Sequence, residues 1–271
     1  MNTKMPNLKT WLTAFIGATA LMTSIPADAT VLDLNAAPNG TGTINGAIFS
    51  INNLQPAGTG VIDPFLTIQN NGTEQGYNGA NNNFDTKRVP QWNHEITLGS
   101  LAQFTLGGVQ YYQFVVDVNE PNSSSSLISL DMLKIYTSST IQGSTSIDAN
   151  GVFNGSLGTL RYNLDGSPAG DSYVKYDDMN HGSGQADIAI FVPVSLFAGA
   201  LATDYLYMYQ GWGYNINADL TTQGGFEETF ALTGVTAVPE VPAFIPLGAV
   251  LLLVVGVNYL RLRRKNTGTA V

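Results

Sequence analysis

Cysteine is absent from this chain of 271 residues, and histidine occurs only twice, as His94 and His181. The lack of cysteine excludes disulfides, thiol catalysis and cysteine-ligated metal sites. The two histidines do not form an HExxH motif or a comparable zinc-binding spacing. No GxSxG sequence is present, so the nucleophile elbow of the α/β-hydrolases is missing too. The sequence therefore predicts a protein that is not an enzyme.

Basic residues are scarce between the two ends of the chain. Residues 30–237 contain five of them, against eighteen acidic residues, which gives this segment a net charge of −13. Such a segment repels nucleic acids and anionic ligands, and it attracts cations. We therefore expect no nucleic-acid partner, and Ca²⁺ is the metal ion that an oxygen-rich, cysteine-free composition favours.

The first 29 residues have the three parts of a secretory signal peptide. Lys4 and Lys9 precede an apolar stretch over residues 11–22, and Ala27 and Ala29 flank Asp28 in a small-x-small cleavage site. Signal peptidase is therefore a predicted processing enzyme. The exported chain is expected to begin directly after Ala29, and we leave the signal peptide out of the fold prediction.

Residues 238–271 form a tail in three parts. Residues 244–260 are an uncharged, mostly apolar segment of 17 residues, close to the shortest helix that spans a bilayer. Cations that follow such a segment stay on the cytoplasmic side. The tail therefore predicts one transmembrane helix, with residues 30–237 outside the inner membrane. The segment before the helix contains Val238, Pro239, Glu240 and Pro242, and the cluster after it contains Arg261, Arg263, Arg264 and Lys265.

This tail resembles the PEP-CTERM sorting signal of Gram-negative bacteria, in which a Pro-Glu-Pro motif precedes a short membrane helix and an Arg-rich end. The chain departs from that pattern at Val241, where the family has its second proline, and a proline follows at Pro242. The resemblance implies that an exosortase, an integral membrane cysteine protease, processes the tail. It also implies an exported protein that is anchored in the inner membrane and then released to the cell surface or the exopolysaccharide matrix. An ordinary, unprocessed membrane anchor is the alternative.

Short apolar runs alternate with turns rich in Gly, Asn and Ser throughout residues 30–237. This pattern is typical of an antiparallel β-sandwich, here expected to be jelly-roll-like with about eight to eleven strands. The clearest alternation, over residues 109–118, predicts that Tyr112, Phe114, Val116 and Val118 share one face of a strand. We interpret residues 43–51 as a single strand and residues 74–90 as an exposed loop. Phrases such as YYQFVVDVNEP and GGFEETF also resemble ectodomains of PEP-CTERM proteins of unassigned function.

A calcium site is predicted where acidic and amide side chains alternate near a glycine. Asp177, Asp178 and Asn180 precede Gly182, and Asp187 follows closely. Their oxygen atoms are the ligands that Ca²⁺ prefers. The segment lacks the spacing of an EF-hand loop, so a turn in which these side chains bond their own backbone is the alternative.

An aromatic stripe is the basis of an alternative function. Tyr205, Tyr207, Tyr209 and Trp212 follow one another at near-strand spacing, and exposed aromatic rings in such a row could stack on sugars. This would make the exported domain a carbohydrate-binding, lectin-like module. The alternative is that the tyrosine stripe lies in the core or at the edge of the sandwich. A polysaccharide hydrolase that uses two of the many carboxylates is a third reading, but no pair of them is singled out by the sequence.

Overall fold

The regular structure of the described residues consists of β-strands and three short 3-10 helices. A computed structural model describes residues 29–52, 63–79, 84–120, 126–166, 171–178, 186–214 and 220–233. The 3-10 helices cover Pro38–Gly40, Leu98–Ser100 and Val194–Phe197. The all-β prediction is confirmed. Among the described residues, no helix has the length and apolar character needed to cross a membrane. The predicted tail and the signal peptide up to residue 28 lie outside this part of the chain.

Sixteen strands are present in the described residues, more than the eight to eleven expected. Eight of them have four residues or fewer. In chain order they are β1 (Val31–Asp33), β2 (Thr41–Ile44), β3 (Ala47–Ile51), β4 (Leu66–Ile68), β5 (Asn71–Gly72), β6 (Glu74–Tyr77), β7 (Ile96–Thr97), β8 (Gln103–Leu106), β9 (Val109–Asp117), β10 (Leu127–Ser138), β11 (Thr159–Asn163), β12 (Tyr173–Asp177), β13 (Ile188–Pro193), β14 (Tyr205–Trp212), β15 (Thr222–Gln223) and β16 (Glu227–Ala231).

The strands form two seven-stranded sheets and one small pair. Sheet A has the order β1-β12-β10-β14-β6, with β11 added to β10 and β7 added to β14. Sheet B has the order β2-β3-β13-β9-β16-β4, with β8 added to β9, and β5 pairs with β15. All these pairs are antiparallel except β1 with β12. Buried residues of both sheets belong to one continuous apolar cluster, the main core.

Strand β9 has the face that its alternation predicts. Tyr112, Phe114, Val116 and Val118 all lie in the main core. Gly107-Gly108 is a sequence that predicts a two-residue hairpin; it joins β8 to β9, and both glycines have positive φ. Burial of each large apolar side chain in such a row contributes about 1.5–3 kcal/mol. Alternation and a two-glycine turn therefore suffice to locate the centre of sheet B.

The single strand predicted over residues 43–51 is wrong, because Asn45 and Gly46 turn the chain back. Both residues have positive φ, at 49° and 86°, and Ile44 pairs with Ala47 across the turn. Asn-Gly is the preferred sequence for a tight two-residue hairpin. The signal was therefore present in the sequence. The Asn45 amide also donates to the backbone carbonyl of Leu164 at 2.6 Å, which ties the hairpin to the segment after β11.

Replacing Asn45 by alanine is expected to lower the free energy of unfolding by about 2 kcal/mol. Roughly half of this is the cost of a positive φ without glycine or asparagine, and the rest is the lost hydrogen bond to Leu164. Asn45→Gly removes only the hydrogen bond, so it should cost about 1 kcal/mol. Urea unfolding of the two variants measures the difference. Equal losses would contradict a contribution from the backbone strain.

A β-bulge in β10 changes which side chains share a face. The sequence predicts Ile128, Leu130 and Met132 on one face, but the register against β14 shifts between Leu130 and Met132. Ile128 and Leu130 lie in the main core, followed by Leu133. Met132 instead packs against a second apolar cluster on the opposite face. An extra residue in one strand reverses the alternation beyond it.

The segment predicted as an exposed loop, residues 74–90, begins with a buried strand. All four residues of β6 are buried, and the strand pairs with β14 in sheet A. The segment begins with a glutamate and a glutamine, and these polar residues are the reason that the sequence predicts a loop. The later part includes Thr86, which forms an isolated bridge with Ile68 of sheet B. Pairing with neighbouring strands therefore buries residues that their polarity alone predicts to be exposed.

Candidate functional site

The aromatic stripe does not form an exposed surface for sugars, so this prediction is wrong. Tyr207, Tyr209 and Trp212 each have 0% of their surface exposed, and Tyr205 is only partly exposed. The residues also lie on two different faces of β14. The tyrosines lie in or against the second apolar cluster, and Trp212 lies in the main core. Successive residues of a strand point to opposite faces, so residues 205, 207 and 209 lie on the face opposite to residue 212.

Trp212 forms part of a hydrogen-bonded column between the two sheets. Its indole N–H donates to the side-chain oxygen of Gln210 at 3.1 Å. The Gln210 amide donates in turn to the hydroxyl of Thr229 on β16 at 3.0 Å. All three side chains are fully buried. Because a buried polar group needs a partner, this column fixes the relative position of sheets A and B at one place in the core.

Two of the four predicted calcium ligands come close together. Asp178 and Asp187 are both buried, at 1% exposure each, and their charges interact. Asp177 belongs to the more exposed face of β12 and accepts a hydrogen bond from the Ser126 hydroxyl at 2.7 Å. Asn180 lies outside the described residues. The strand alternation therefore separates Asp177 from its neighbour Asp178.

Asp187 and Asp178 are held by backbone and hydroxyl donors. Asp187 accepts from the Val118 N–H at 2.7 Å and from the Tyr176 hydroxyl at 3.0 Å. Asp178 accepts from the Glu120 N–H at 3.1 Å. Burial raises the pKa of Asp178 to about 8, with a further rise from the Asp187 charge, and burial raises the pKa of Asp187 to about 7. Both groups therefore resist ionisation in spite of their donors.

A second acidic pair, Glu74 and Glu227, was missed by the sequence prediction. Glu74 lies opposite Trp212 in sheet A, and Glu227 lies opposite Ile68 in sheet B. Directly opposed residues share a face, so both glutamates point toward the main core. Their carboxyl groups are in hydrogen-bonding contact with each other. Each side chain has 0% exposure.

Glu120 connects the two acidic pairs. Both of its carboxylate oxygens lie near the backbone N–H of Gln223, at 3.0 and 2.8 Å. Its own N–H is bound by Asp178, and its carboxylate contacts Glu227. Burial raises the pKa of Glu120 as well. We call these five residues the carboxyl network: Glu74, Glu120, Asp178, Asp187 and Glu227.

The carboxyl network offers oxygen atoms and no nitrogen or sulfur ligand. Within the ranges that the structure describes, no three acidic or histidine side chains surround a common point at which a metal ion could be held. The calcium site therefore stays a prediction. The network can retain protons at neutral pH, because burial disfavours the charged form of each carboxyl group.

No protein-family model matches the chain, and neither a curated protein nor a solved structure matches it.

Proposed function

We propose that the chain is an exported, non-enzymatic surface or extracellular-matrix protein of a Gram-negative bacterium. A signal peptide directs residues 30–237 out of the cytoplasm, and the tail anchors them in the inner membrane. An exosortase then cuts near Glu240 and releases the domain to the cell surface or the exopolysaccharide matrix. The observation that carries this proposal is the order of features in residues 238–265: a Pro- and Glu-containing segment, a short apolar span and four cations. No single one of these features would be specific.

The exported domain is proposed to be a jelly-roll-like β-sandwich made of sheets A and B. Three features support this architecture. Buried residues of both sheets belong to one core, Gln210 and Thr229 bond across it, and the chain passes from sheet to sheet at β9–β10, β12–β13 and β13–β14. Two sheets that bury a common apolar face are the usual solution for an all-β domain of this length.

Burial of the carboxyl network supports a role without catalysis on polysaccharides. A glycosidase needs two carboxyl groups that reach the scissile bond of a bound sugar chain. Glu74 and Glu227 have no exposed surface, and Asp178 and Asp187 are each 1% exposed. Their burial keeps these four carboxyl groups from contact with a polymer, which favours a role in the stability of the fold.

Topology is tested with reporter fusions in a Gram-negative host. Alkaline phosphatase fused after Thr233 should be active, because this position is outside the membrane. The same reporter fused after Val271 should be inactive, because four cations retain the end of the chain in the cytoplasm. Activity of both fusions would contradict the proposed anchor. Replacing Arg261, Arg263, Arg264 and Lys265 by asparagine should remove the difference.

Processing is tested by the intact mass of the chain in cells that contain an exosortase. The wild-type product should end near Pro239, and Glu240→Ala should reduce the cleaved fraction by about tenfold, equivalent to about 1.4 kcal/mol of lost recognition. Val241→Pro restores the motif of the resembled family and should be cleaved at least as well as wild type. Thr236→Ala is the control and should change nothing. A wild-type mass that includes Val271 would refute processing while leaving the anchor intact.

A further inference from the structure

The carboxyl groups of Glu74 and Glu227 meet between the two sheets. Neither oxygen of Glu227 accepts a hydrogen bond from an N–H or a hydroxyl group of another described residue, and the same holds for Oε1 of Glu74. The other oxygen of Glu74 accepts from the Asn70 N–H at 2.7 Å. Neither carboxyl forms an ion pair with a described Lys, Arg or His side chain.

Two ionised carboxylates cannot bond to each other, since both are acceptors only. They also repel, and the repulsion is strong where water is excluded. A proton on one of them removes one charge and supplies the missing donor. A buried, contacting pair of this kind is therefore stable in its observed geometry only when it holds a proton.

We propose that Glu227 is a protonated acid that donates to Glu74 and Glu120, and that this shared proton is a pH-sensitive latch between sheets A and B. Glu227 lies on β16 of sheet B and Glu74 on β6 of sheet A, so the bond crosses the core. Glu120 accepts from the backbone N–H of Gln223, which ends the short strand β15 before β16. Loss of the proton would place three negative charges close together where the two sheets and β15 meet.

The acidic groups that face the latch favour retention of the proton. Glu120 faces it from the segment after β9, and Asp85 faces Glu74 from the segment between β6 and β7. Tyr214, just after β14, also lies near Glu74, but its raised pKa leaves the phenol uncharged at neutral pH. The Asn70 N–H, which lowers the pKa of Glu74, is the opposing contact. Strands β4 and β14 present Ile68, Gln210 and Trp212, which carry no charge. An ionised Glu227 would therefore be stabilised by no positive charge from these elements.

The direction of the pH dependence follows from the pKa shifts. Burial raises the pKa of Glu74 from 4.5 to about 7, and burial together with the Glu74 charge raises the pKa of Glu227 well above 4.5. A group whose pKa is higher in the folded state contributes its full stability below the unfolded value. That contribution is lost as pH rises toward the folded value. The latch therefore holds in mild acid and weakens through neutral pH.

Glu227→Gln tests the latch, because the amide donates permanently and takes up no proton on folding. We expect the ratio of the variant's folding equilibrium constant to that of wild type to increase about tenfold for each pH unit above pH 5. At pH 7 this ratio should have increased about a hundredfold. Urea unfolding of the full-length mature chain in mild detergent, followed by tryptophan fluorescence, measures both constants. Parallel pH profiles of variant and wild type would overturn the proposal.

Two further variants separate the latch from general effects. Glu95→Gln makes the same chemical change on a partly exposed glutamate before β7, outside the carboxyl network, and should keep the wild-type profile. Glu74→Gln places a permanent donor on the other side of the pair, so it should also reduce the proton uptake on folding. If both Glu95→Gln and Glu227→Gln flatten the profile equally, the latch is not its cause. Asp178 and Asp187 are unchanged in all three variants.

Infrared spectroscopy detects the proton directly in the folded protein. Wild type in an ester-free detergent should show the carbonyl stretch of a protonated carboxylic acid at pH 7, and Glu227→Gln should lose part of it. The same spectra are recorded with added Ca²⁺ and with EDTA. If the acid band is absent at pH 7 and EDTA destabilises wild type, a cation neutralises the pair and the proton latch is refuted.

Discussion

Gly225→Ala is expected to prevent stable folding, with a loss of more than about 4 kcal/mol in the free energy of unfolding. A Cβ atom at position 225 would overlap the backbone carbonyl oxygen of Asn119, and it would lie 2.6 Å from the carbonyl carbon. Backbone atoms cannot move aside as a flexible side chain can. Gly225 and its neighbour Phe226, whose carbonyl accepts from the Asn119 amide at 2.8 Å, hold this segment against Glu120. The added methyl group would therefore also displace a member of the carboxyl network.

Gly224→Ala is the matched control for this clash. Gly224 has a φ of +84°, so alanine there is strained, but a Cβ atom would meet nothing closer than 3.9 Å. The expected cost is about 1–2 kcal/mol. Chemical unfolding followed by circular dichroism compares the two variants, and yield of folded protein is a second measure. A loss at position 225 no greater than the loss at position 224 would refute the close approach to Asn119.

Trp212→Ala is expected to lower the free energy of unfolding by about 3–5 kcal/mol. The side chain is fully buried in the main core, so its removal leaves a cavity that neighbours only partly fill. The variant also removes the indole N–H that Gln210 accepts. The Gln210 side chain then keeps its hydrogen bond to Thr229, but one of the hydrogen bonds that position sheet A against sheet B is lost.

Tyr205→Ala is the matched control on the same strand. Tyr205 is only partly buried and packs at the edge of the second apolar cluster, so its loss should cost about 1–2 kcal/mol. Urea unfolding measures both variants. A carbohydrate-stacking role for Trp212 would give the opposite pattern, with weakened sugar binding and little change in stability. That result would contradict the burial described for β14.

The strongest local patterns predicted their strands correctly. Residues 109–118 have the clearest alternation in the chain, and a two-glycine turn precedes them, so the strand and its face in the main core could be predicted. The hairpin at Asn45-Gly46 could have been predicted in the same way, because this dipeptide favours positive φ at both positions. Because the residues on both sides of this dipeptide are apolar, the segment has the pattern of a single strand.

The errors arose where a contact distant in sequence reversed a local preference. Met132 was assigned to the wrong face because the bulge after Leu130 depends on the pairing of β10 with β14. Glu74 was assigned to an exposed loop because glutamate is rarely buried. The sequence leaves the aromatic stripe open between an exposed face and the core, because alternation gives two faces and does not say what covers each one. Tyr207 and Tyr209 are covered by the second apolar cluster, which includes Phe153 and Leu157.

The sequence by itself determined the class of the domain and its acidic, cysteine-free character, since these depend on composition and short-range periodicity. It also determined the tail on which the proposed export and anchoring depend. Only the tertiary structure decided that Glu74 and Glu227 meet, because they lie on different sheets and far apart along the chain. Their raised pKa values are likewise a tertiary property, since desolvation depends on what surrounds a carboxyl group and not on its neighbours in sequence.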